Sequence, residues 1–420
     1  MLSPDYLLRV SEGGEAIAET LHDEIIKQIV ERIALRLDRG DNYILTARDK
    51  WQIEVLQDAG YLREDIEKEI AKQVKLMQEE IAKAMEDAGV KSMEWDDEIY
   101  RAAGLSPKPL DESPYLIRLM QRTYEATMGD WINFTRTTAD ASQQAFIRSC
   151  DRAYTMVSSG AMGYEQAYVD AINDIVKDGV EVIYPSGHKD TIETATLRCI
   201  RTGVSQATAQ IQLSRMDEMG HSLVIVSSHL GARPSHHEWQ GKVYHVDFAV
   251  PQFLGNAIVG VSKEENTSGY PDFVESTEYG SVTGICGANC RHNFAPYFEG
   301  MENPFEHYDS EENRKEYELQ QRQRAMERRI RESKRKCMGF KHGVDNASSP
   351  EAKAAAEAEY QKQAALLQKR NKAYNDFCEE NGLKRKSERI TIAKWDRAQA
   401  AKARAAARKA EKDRAKNEPT

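Results

Sequence analysis

Two segments of the chain concentrate the residue types that could carry chemistry. The first, His229–Tyr244, holds three histidines, an arginine and a tryptophan within sixteen residues. The second, Gly284–Tyr297, holds two cysteines, an arginine and a histidine, and it follows a Tyr-Pro-Asp-Phe stretch at Tyr270–Phe273. Three interpretations of these residues compete: a metal site, a nucleophilic thiol, and a structural motif.

A metal site is the first interpretation. Cys286 and Cys290 form a C-x3-C pair, and His292 follows two residues later. Thiolates and imidazoles are the ligands that zinc prefers, but structural sites more often use C-x2-C and a second pair of ligands. A zinc ion would therefore need ligands from the first segment. The weak candidates for the complete set are His229, His236, Cys286, Cys290 and His292.

A nucleophilic thiol is the second interpretation. Cys290 precedes Arg291, and a neighbouring cation can lower the pKa of a thiol. A histidine of the first segment could act as its base, as in a thiol-dependent enzyme. The sequence shows no orienting third group, no glycine-rich phosphate loop and no pair of acidic residues. No reaction class follows from it.

A structural motif is the third interpretation, and it explains the same residues without a cofactor. Glycines permit tight turns, prolines fix the path of a loop, and aromatic side chains fill a small core. Polar side chains then satisfy loop backbone that no sheet pairs. We expect this role, with no catalytic residue and no cofactor, for Arg233, His236, Trp239, Gly241, Cys286, Cys290, Arg291 and His292.

The elements that position these segments are mostly helical. Apolar residues recur at steps of four over 15–37, which predicts an amphipathic helix closed by Gly40. The pattern predicts further helices at about 46–60, from about 63 up to a stop near Gly89 and Gly104, and over 113–178 with a break at 158–163. Each has a single apolar stripe, so each must pack on another helix or on a partner.

Helix and strand alternate only in the middle of the chain. Residues 180–184, 222–228 and 241–247 are β-prone, and a helix capped by Asp190 is predicted to run to about Met219. Two long helices follow, at 306–338 and from Ser349-Pro350 to Gly382, joined by a loop at 339–349. They predict an antiparallel hairpin.

The predicted fold class is therefore α+β and predominantly α, with a small central α+β core. We divide the sequence into an acidic helical segment 1–105, the core 106–303, a helical hairpin 304–382 and a basic helical tail 383–420.

Charge is distributed unevenly along the 420 residues. The net charge is −10, yet residues 1–300 carry −18 and residues 383–420 carry 13 basic against 5 acidic side chains. Such asymmetry indicates either two surfaces with different partners or a solvated helix that happens to be basic. The candidates for DNA contact in the tail are Lys384, Arg385, Lys386, Arg389, Lys402, Arg404, Arg408 and Lys409.

Composition excludes several classes of protein. A mean hydropathy of −0.67 and the short apolar runs exclude a multispan membrane protein. Six cysteines in 420 residues exclude a disulfide scaffold. The first residues lack the basic and apolar regions of a signal peptide, so we expect synthesis in a reducing cytoplasm.

The stretches Ala232–Tyr244, Gly269–Phe273 and Tyr279–Gly300 resemble the minor capsid protein 2 family of tailed phages, which is distantly similar to Mu F-like head morphogenesis proteins. The helical segments 51–70 and 377–389 are similar to that family too, whereas residues 398–420 depart from it.

The resemblance implies a structural minor capsid protein, made in the bacterial host cytoplasm and located inside the virion head near the portal vertex. It implies a role in head assembly and in genome packaging or delivery, including DNA ejection. The implied partners are the portal protein, other copies or capsid proteins, and packaged double-stranded DNA through the basic tail. The alternative is a zinc- or thiol-dependent enzyme that uses 229–244 and 286–292.

Overall fold

The computed structural model describes residues 1–37, 48–247, 252–254, 257–259, 266 and 268–417. The helices are α1 Pro4–Arg9, α2 Glu12–Leu37, α3 Arg48–Ala102, α4 Pro114–Ser158, α5 Tyr164–Asp178, α6 Ile192–Glu218, α7 Pro234–His237, α8 Phe273–Thr277, α9 Ser310–Asn346, α10 Pro350–Glu380 and α11 Arg397–Asn417. The strands are β1 Glu181–Ile183, β2 Lys189–Thr191, β3 Leu223–Val226, β4 Val243–His245, β5 Gln252–Leu254, β6 Ala257–Val259 and β7 Phe294–Pro296.

The chain is 71% helical with small antiparallel sheets, which confirms the predicted fold class. It forms two compact units. The sheet unit comprises Met1–Glu15, Leu76–Ile132 and Thr196–Gln320, and the helical unit comprises Ala16–Lys75, Asn133–Ala195 and Gln321–Thr420. Each unit combines three separate stretches of sequence. The division into four consecutive segments stays a prediction.

The sheet unit is built around β3. All four residues of this strand are buried, and it pairs antiparallel with β4 on one side and β7 on the other. Val224 is in register with Tyr244 on β4 and with Pro296 on β7. The predicted strands at 222–228 and 241–247 are confirmed, while β7 was not predicted. Aromatic side chains cover this sheet, namely Trp239, Tyr244, Phe273 and Phe294.

The predicted hairpin is formed by α9 and α10, and the helical unit contains α10 and the part of α9 from Gln321 onward. Tyr374 Oη donates to Glu327 Oε1 at 2.9 Å, and Arg370 Nη1 donates to Ser333 Oγ at 2.8 Å. The later residue of α9 contacts the earlier residue of α10, so the two helices run antiparallel. Ser349 caps α10 by accepting from Ala352 N, as predicted.

Helix ends predicted at three glycine positions are wrong, because the helices continue through them. The predicted break after Gly60 and the stop near Gly89 are wrong, because α3 runs unbroken to Ala102. The buried residues Ala59 and Leu62 continue the apolar stripe of α3 past Gly60. A glycine inside a helix costs only about 1 kcal/mol relative to alanine, which packing of the stripe outweighs.

The predicted loop at 339–349 is also wrong over most of its length, since α9 continues to Asn346. A Cβ atom at Gly339 would lie 2.1 Å from Val176 Cγ2, and one at Gly343 would lie 2.5 Å from Ile172 Cδ1. These glycines allow the close approach of α5 to α9. They are contact points within a helix and not helix breakers.

The basic tail is packed, not free. Residues on one side of α11 and on the preceding turn are buried in the core of the helical unit, namely Ile390, Ala403, Ala406 and Ala407. Lys394 forms an ion pair with Asp23 at 3.1 Å. Because alanine presents so little apolar surface, the sequence of this segment indicates its charge but not its buried face. The small size of alanine nevertheless suits close helix packing.

The two ends of α6 lie at or next to the predicted residues. The cap of α6 is Thr191, whose Oγ1 accepts from Thr194 N at 3.4 Å, so the predicted cap Asp190 is wrong by one residue. Gly220, with φ of 60°, follows the end of α6 as predicted.

Gly40, Thr46 and most of 248–265 lie outside the described residues. Within the described ranges, every helix is too short or too polar to cross a lipid bilayer.

Candidate functional site

The two motif segments meet in the sheet unit. Helix α7 is a single turn that begins with Pro234, and it places His236 on its buried side. The second segment is a series of tight turns in which Gly287 N donates to Gly284 O and Cys290 N donates to Gly287 O, both at 3.1 Å. These turns carry Cys290 and His292 inward to the same place.

Three side chains converge there. His236 Nδ1 lies 3.4 Å from His292 Nδ1 and 3.7 Å from Cys290 Sγ, and the Cys290 Sγ to His292 Nδ1 distance is 3.8 Å. The three residues are 2%, 5% and 1% exposed. Among the described residues, they are the set of His, Cys, Asp and Glu side chains whose geometry could hold a metal ion.

Hydrogen bonds define the tautomer of both histidines. His236 Nε2 is 2.7 Å from Thr283 O, and a carbonyl oxygen only accepts, so this nitrogen carries the proton. His292 Nε2 is 3.1 Å from Gln240 Oε1. That amide oxygen also accepts from the backbone N–H of His229, so His292 Nε2 must donate to it as well. Both Nδ1 atoms therefore present lone pairs to the centre of the cluster.

Burial controls ionisation in the cluster. Desolvation lowers the pKa of His236 to about 4 and holds the pKa of His292 well below its ordinary value, with the nearby cations adding to the effect at His292. Desolvation raises the pKa of the Cys290 thiol, despite hydrogen bonds that favour the thiolate. Arg291 does act to lower the pKa of Cys290, but desolvation outweighs it, so the predicted lowered-pKa thiolate is wrong. A buried thiol with a raised pKa lacks the features of a nucleophile.

Two of the proposed ligands lie outside the cluster. The His229 ring stacks on the His292 ring with centroids 4.4 Å apart, and its Nδ1 is 3.3 Å from Arg291 Nη2. Cys286 is buried, and its sulfur donates to His292 O at 3.9 Å. The C-x3-C pair thus supplies one sulfur to the cluster and one to the loop backbone.

The remaining motif residues make contacts of the kind that the structural interpretation requires. Trp239 packs on His236 and His292, with ring centroids 4.5 Å and 4.8 Å apart. Arg233 Nη2 donates to Ala288 O at 2.7 Å. Gly241 has φ of 68°, and its N–H donates to Val226 O at 3.0 Å.

Two buried amides were missed by the sequence interpretation. Gln240, 1% exposed, lies inside the first segment and accepts from His292, as described above. Asn313 on α9 is 2% exposed and bonds the backbone of Gly231 and Ala232. The only sequence signal for Asn313 is an uncharged amide in the charged first turns of α9.

The candidates for DNA contact lie in the helical unit. Most are exposed, namely Lys384, Arg385, Lys402, Arg404, Arg408 and Lys409. Arg389 is half-buried and 4.0 Å from Glu327 Oε2, while Lys386 is half-buried with its backbone N–H donating to Tyr374 Oη. Arg389 and Lys386 are therefore less available to a partner than the six others.

Fold and site together define a mainly helical α+β protein whose His/Cys motif is enclosed and holds loops together. The comparison with known families is specific: the family model described as phage minor capsid protein 2 matches residues 2–374. The chain belongs to this family of phage structural proteins, as its motifs predicted.

Two relatives from lactococcal phages carry the printed name "Structural protein". The protein of Lactococcus phage LL-H is 26% identical over 301 residues, which cover 68% of this chain and 76% of the relative. The protein of Lactococcus phage mv4 is 42% identical over 59 residues, which cover 14% of this chain and 48% of the relative. No solved structure matches the chain.

Proposed function

We propose that the protein is a minor component of the phage head that binds the portal vertex and assists the packaging or delivery of DNA. Membership of the phage minor capsid protein 2 family carries this proposal. The enclosed His/Cys motif supports a structural role, because an active site needs access for its substrate.

Exposed apolar side chains support protein partners. On the first turns of α3, Ile53 and Leu56 are 58% and 59% exposed, and Tyr61 is 62% exposed. Leu35 on α2, in the same helical unit, is 60% exposed. A contiguous patch of exposed apolar side chains marks a binding surface, and Leu35 and Tyr61 line the same surface depression. We assign this surface to the portal or to a neighbouring copy.

The opposite faces of α11 support contact with DNA. One face is buried alanine, and the other presents exposed basic side chains at Arg397, Lys402, Arg404, Arg408, Lys409 and Lys412. A rigid row of cations neutralises phosphates without reading the base sequence. The packing of α11 fixes that row on the surface of the helical unit.

Cross-linking mass spectrometry of purified virions tests the location. We expect the protein in DNA-free heads and cross-links from exposed Lys50, one turn before Ile53, to the portal or to a second copy. Absence of the protein from heads would end the proposal. Cross-links confined to tail proteins would move it to another part of the particle.

The salt dependence of DNA binding tests the basic face. Replacing Arg404, Arg408 and Lys409 by alanine should make the slope of log K against log salt less negative by about 3, at roughly 0.9 per phosphate contact. The matched control replaces three exposed lysines of α10, Lys353, Lys369 and Lys372. Equal slopes for the two triple variants would exclude a specific role for α11.

A further inference from the structure

We propose that His236 Nδ1, Cys290 Sγ and His292 Nδ1 bind one zinc ion, which locks the loops of the sheet unit together. This inference does not depend on the proposed role at the portal vertex, since it concerns the folding of the unit. It rests on the distances among the three atoms, on their hydrogen bonds and on their burial.

The distances fit tetrahedral coordination. With Zn–N near 2.0–2.1 Å and Zn–S near 2.3 Å, tetrahedral geometry places two nitrogens about 3.4 Å apart and nitrogen and sulfur about 3.6 Å apart. The observed separations are 3.4 Å between the nitrogens and 3.7 Å and 3.8 Å from each nitrogen to the sulfur. An ion would fit with shifts of only a few tenths of an ångström.

The hydrogen bonds leave the centre of the cluster with too few protons. Both Nε2 atoms donate outward, to Thr283 O and Gln240 Oε1, so the two Nδ1 lone pairs face each other. Among the described residues, Cys290 Sγ is the donor within reach of either Nδ1. Its single proton can serve one nitrogen and leaves the other lone pair against its neighbour. A cation bound by all three atoms removes this conflict.

Structural zinc sites usually have four protein ligands, so the three found here would leave the fourth tetrahedral position to a water molecule. The outward bond from each Nε2 fixes the ring and its tautomer, as in metal-bound histidines. His292 N donates to Cys290 Sγ at 3.4 Å, which favours the thiolate. Binding would release the thiol proton to solvent as the Zn–S bond forms. Two imidazoles and a thiolate suit zinc far better than magnesium or calcium.

An ion at this position would connect two segments that are distant in the sequence. It would join α7 to a loop 54 and 56 residues further along the chain. That loop has left-handed backbone at Cys286 and Asn289, with φ of 59° and 58°. The neighbouring strands are only three or four residues long.

Metal analysis of the full-length protein tests the proposal. Protein produced with zinc in the medium and dialysed under reducing conditions should retain about one zinc per chain. Cys290→Ser and His292→Gln should each reduce that content at least about tenfold. His237→Gln, on the same helix turn, and Cys199→Ser, in the same unit, are the matched controls and should keep the ion.

A titration of the wild-type protein keeps the test decisive if the cluster variants fail to fold. The metal-depleted wild-type chain should bind cobalt(II) at one site, with the strong visible absorption of tetrahedral coordination and a thiolate-to-cobalt band. Zinc should displace the cobalt and raise the melting temperature, and magnesium should do neither. Folded wild-type protein without zinc or saturable cobalt binding would overturn the proposal. Full retention of zinc by folded Cys290→Ser would also overturn it.

Discussion

Asn313 holds the backbone of Ala232 by both of its polar groups: Oδ1 accepts from Ala232 N, and Nδ2 donates to Ala232 O, each at 2.9 Å. The same oxygen accepts from Gly231 N at 2.9 Å. Since both partners lie just before α7, one side chain of α9 fixes the approach to the His/Cys cluster. An amide is needed, because neither a carboxylate nor an ammonium offers both a donor and an acceptor.

Asn313→Ala should therefore destabilise the protein by about 3 kcal/mol, since it leaves three buried backbone groups without partners. Asn313→Asp keeps the acceptor but places a carboxylate oxygen against Ala232 O, so it should be destabilised as well. Urea unfolding measures both, with the exposed Asn375→Ala on α10 as a control that stays within about 0.5 kcal/mol of wild type. Equal midpoints for Asn313→Ala and Asn375→Ala would contradict this role.

A buried carboxylate should make the helical unit sensitive to acid. Glu193 is 2% exposed, with His22 Nδ1 at 3.0 Å and the Arg335 guanidinium in contact. Burial alone would raise the pKa of Glu193, but Arg335 and His22 outweigh it and hold the pKa well below its ordinary value. The stabilisation is thus present above the unfolded pKa near 4.5 and is lost as pH falls through the folded value.

Glu193→Gln tests this pH dependence. We expect a loss of about 2 kcal/mol at pH 7, because the half-buried Arg335 loses its nearer carboxylate and keeps only Glu19 at 3.9 Å, and a smaller difference from wild type at low pH. Denaturant midpoints across the acid range measure both effects, with exposed Glu379→Gln as control. A wild-type to Glu193→Gln difference that stays constant through the acid limb would count against the ion pair.

Sequence patterns predicted the stripes of the helices well, because periodicity is local. They predicted helix ends wrongly at Gly60, Gly89 and Gly339, although Gly220 follows the end of α6 as predicted. Gly60 and Gly339 look alike in sequence, yet one faces open space and the other meets Val176 across a helix contact. The difference depends on which distant segment packs there, and no local pattern contains it.

The candidate site shows the same limit. Residue types alone identified both motif segments, but not which atoms meet. The C-x3-C spacing predicted that Cys286 and Cys290 would act together, whereas the turns between them direct only Cys290 toward His236. His236 and Cys290 are 54 residues apart in the sequence, so only the three-dimensional fold shows that they are in contact.

The two glycines provide a direct test of helix packing. At Gly339, a Cβ atom would lie 2.1 Å from Val176 Cγ2, so Gly339→Ala should cost about 1–3 kcal/mol through overpacking. At Gly60 nothing lies within 4 Å, so Gly60→Ala should stabilise by about 0.4–1 kcal/mol. Thermal unfolding of both variants measures the difference. Stabilisation by both would show that α5 and α9 can separate at no cost.

Neighbouring alanines on α11 test whether the basic segment is docked. Ala403 is 1% exposed within the core of the helical unit, and Ala405 is exposed on the same helix. Ala403→Glu should cost at least about 2 kcal/mol, because it buries a carboxylate without a partner. Ala405→Glu should change stability by less than about 0.5 kcal/mol. Proteolysis adds a second measurement. Helix α11 should detach and be cleaved early in Ala403→Glu, whereas it should stay packed and protected in Ala405→Glu. If both variants resist protease equally and unfold at the wild-type midpoint, α11 does not depend on its alanine face for docking, and the basic row is not held on a fixed surface.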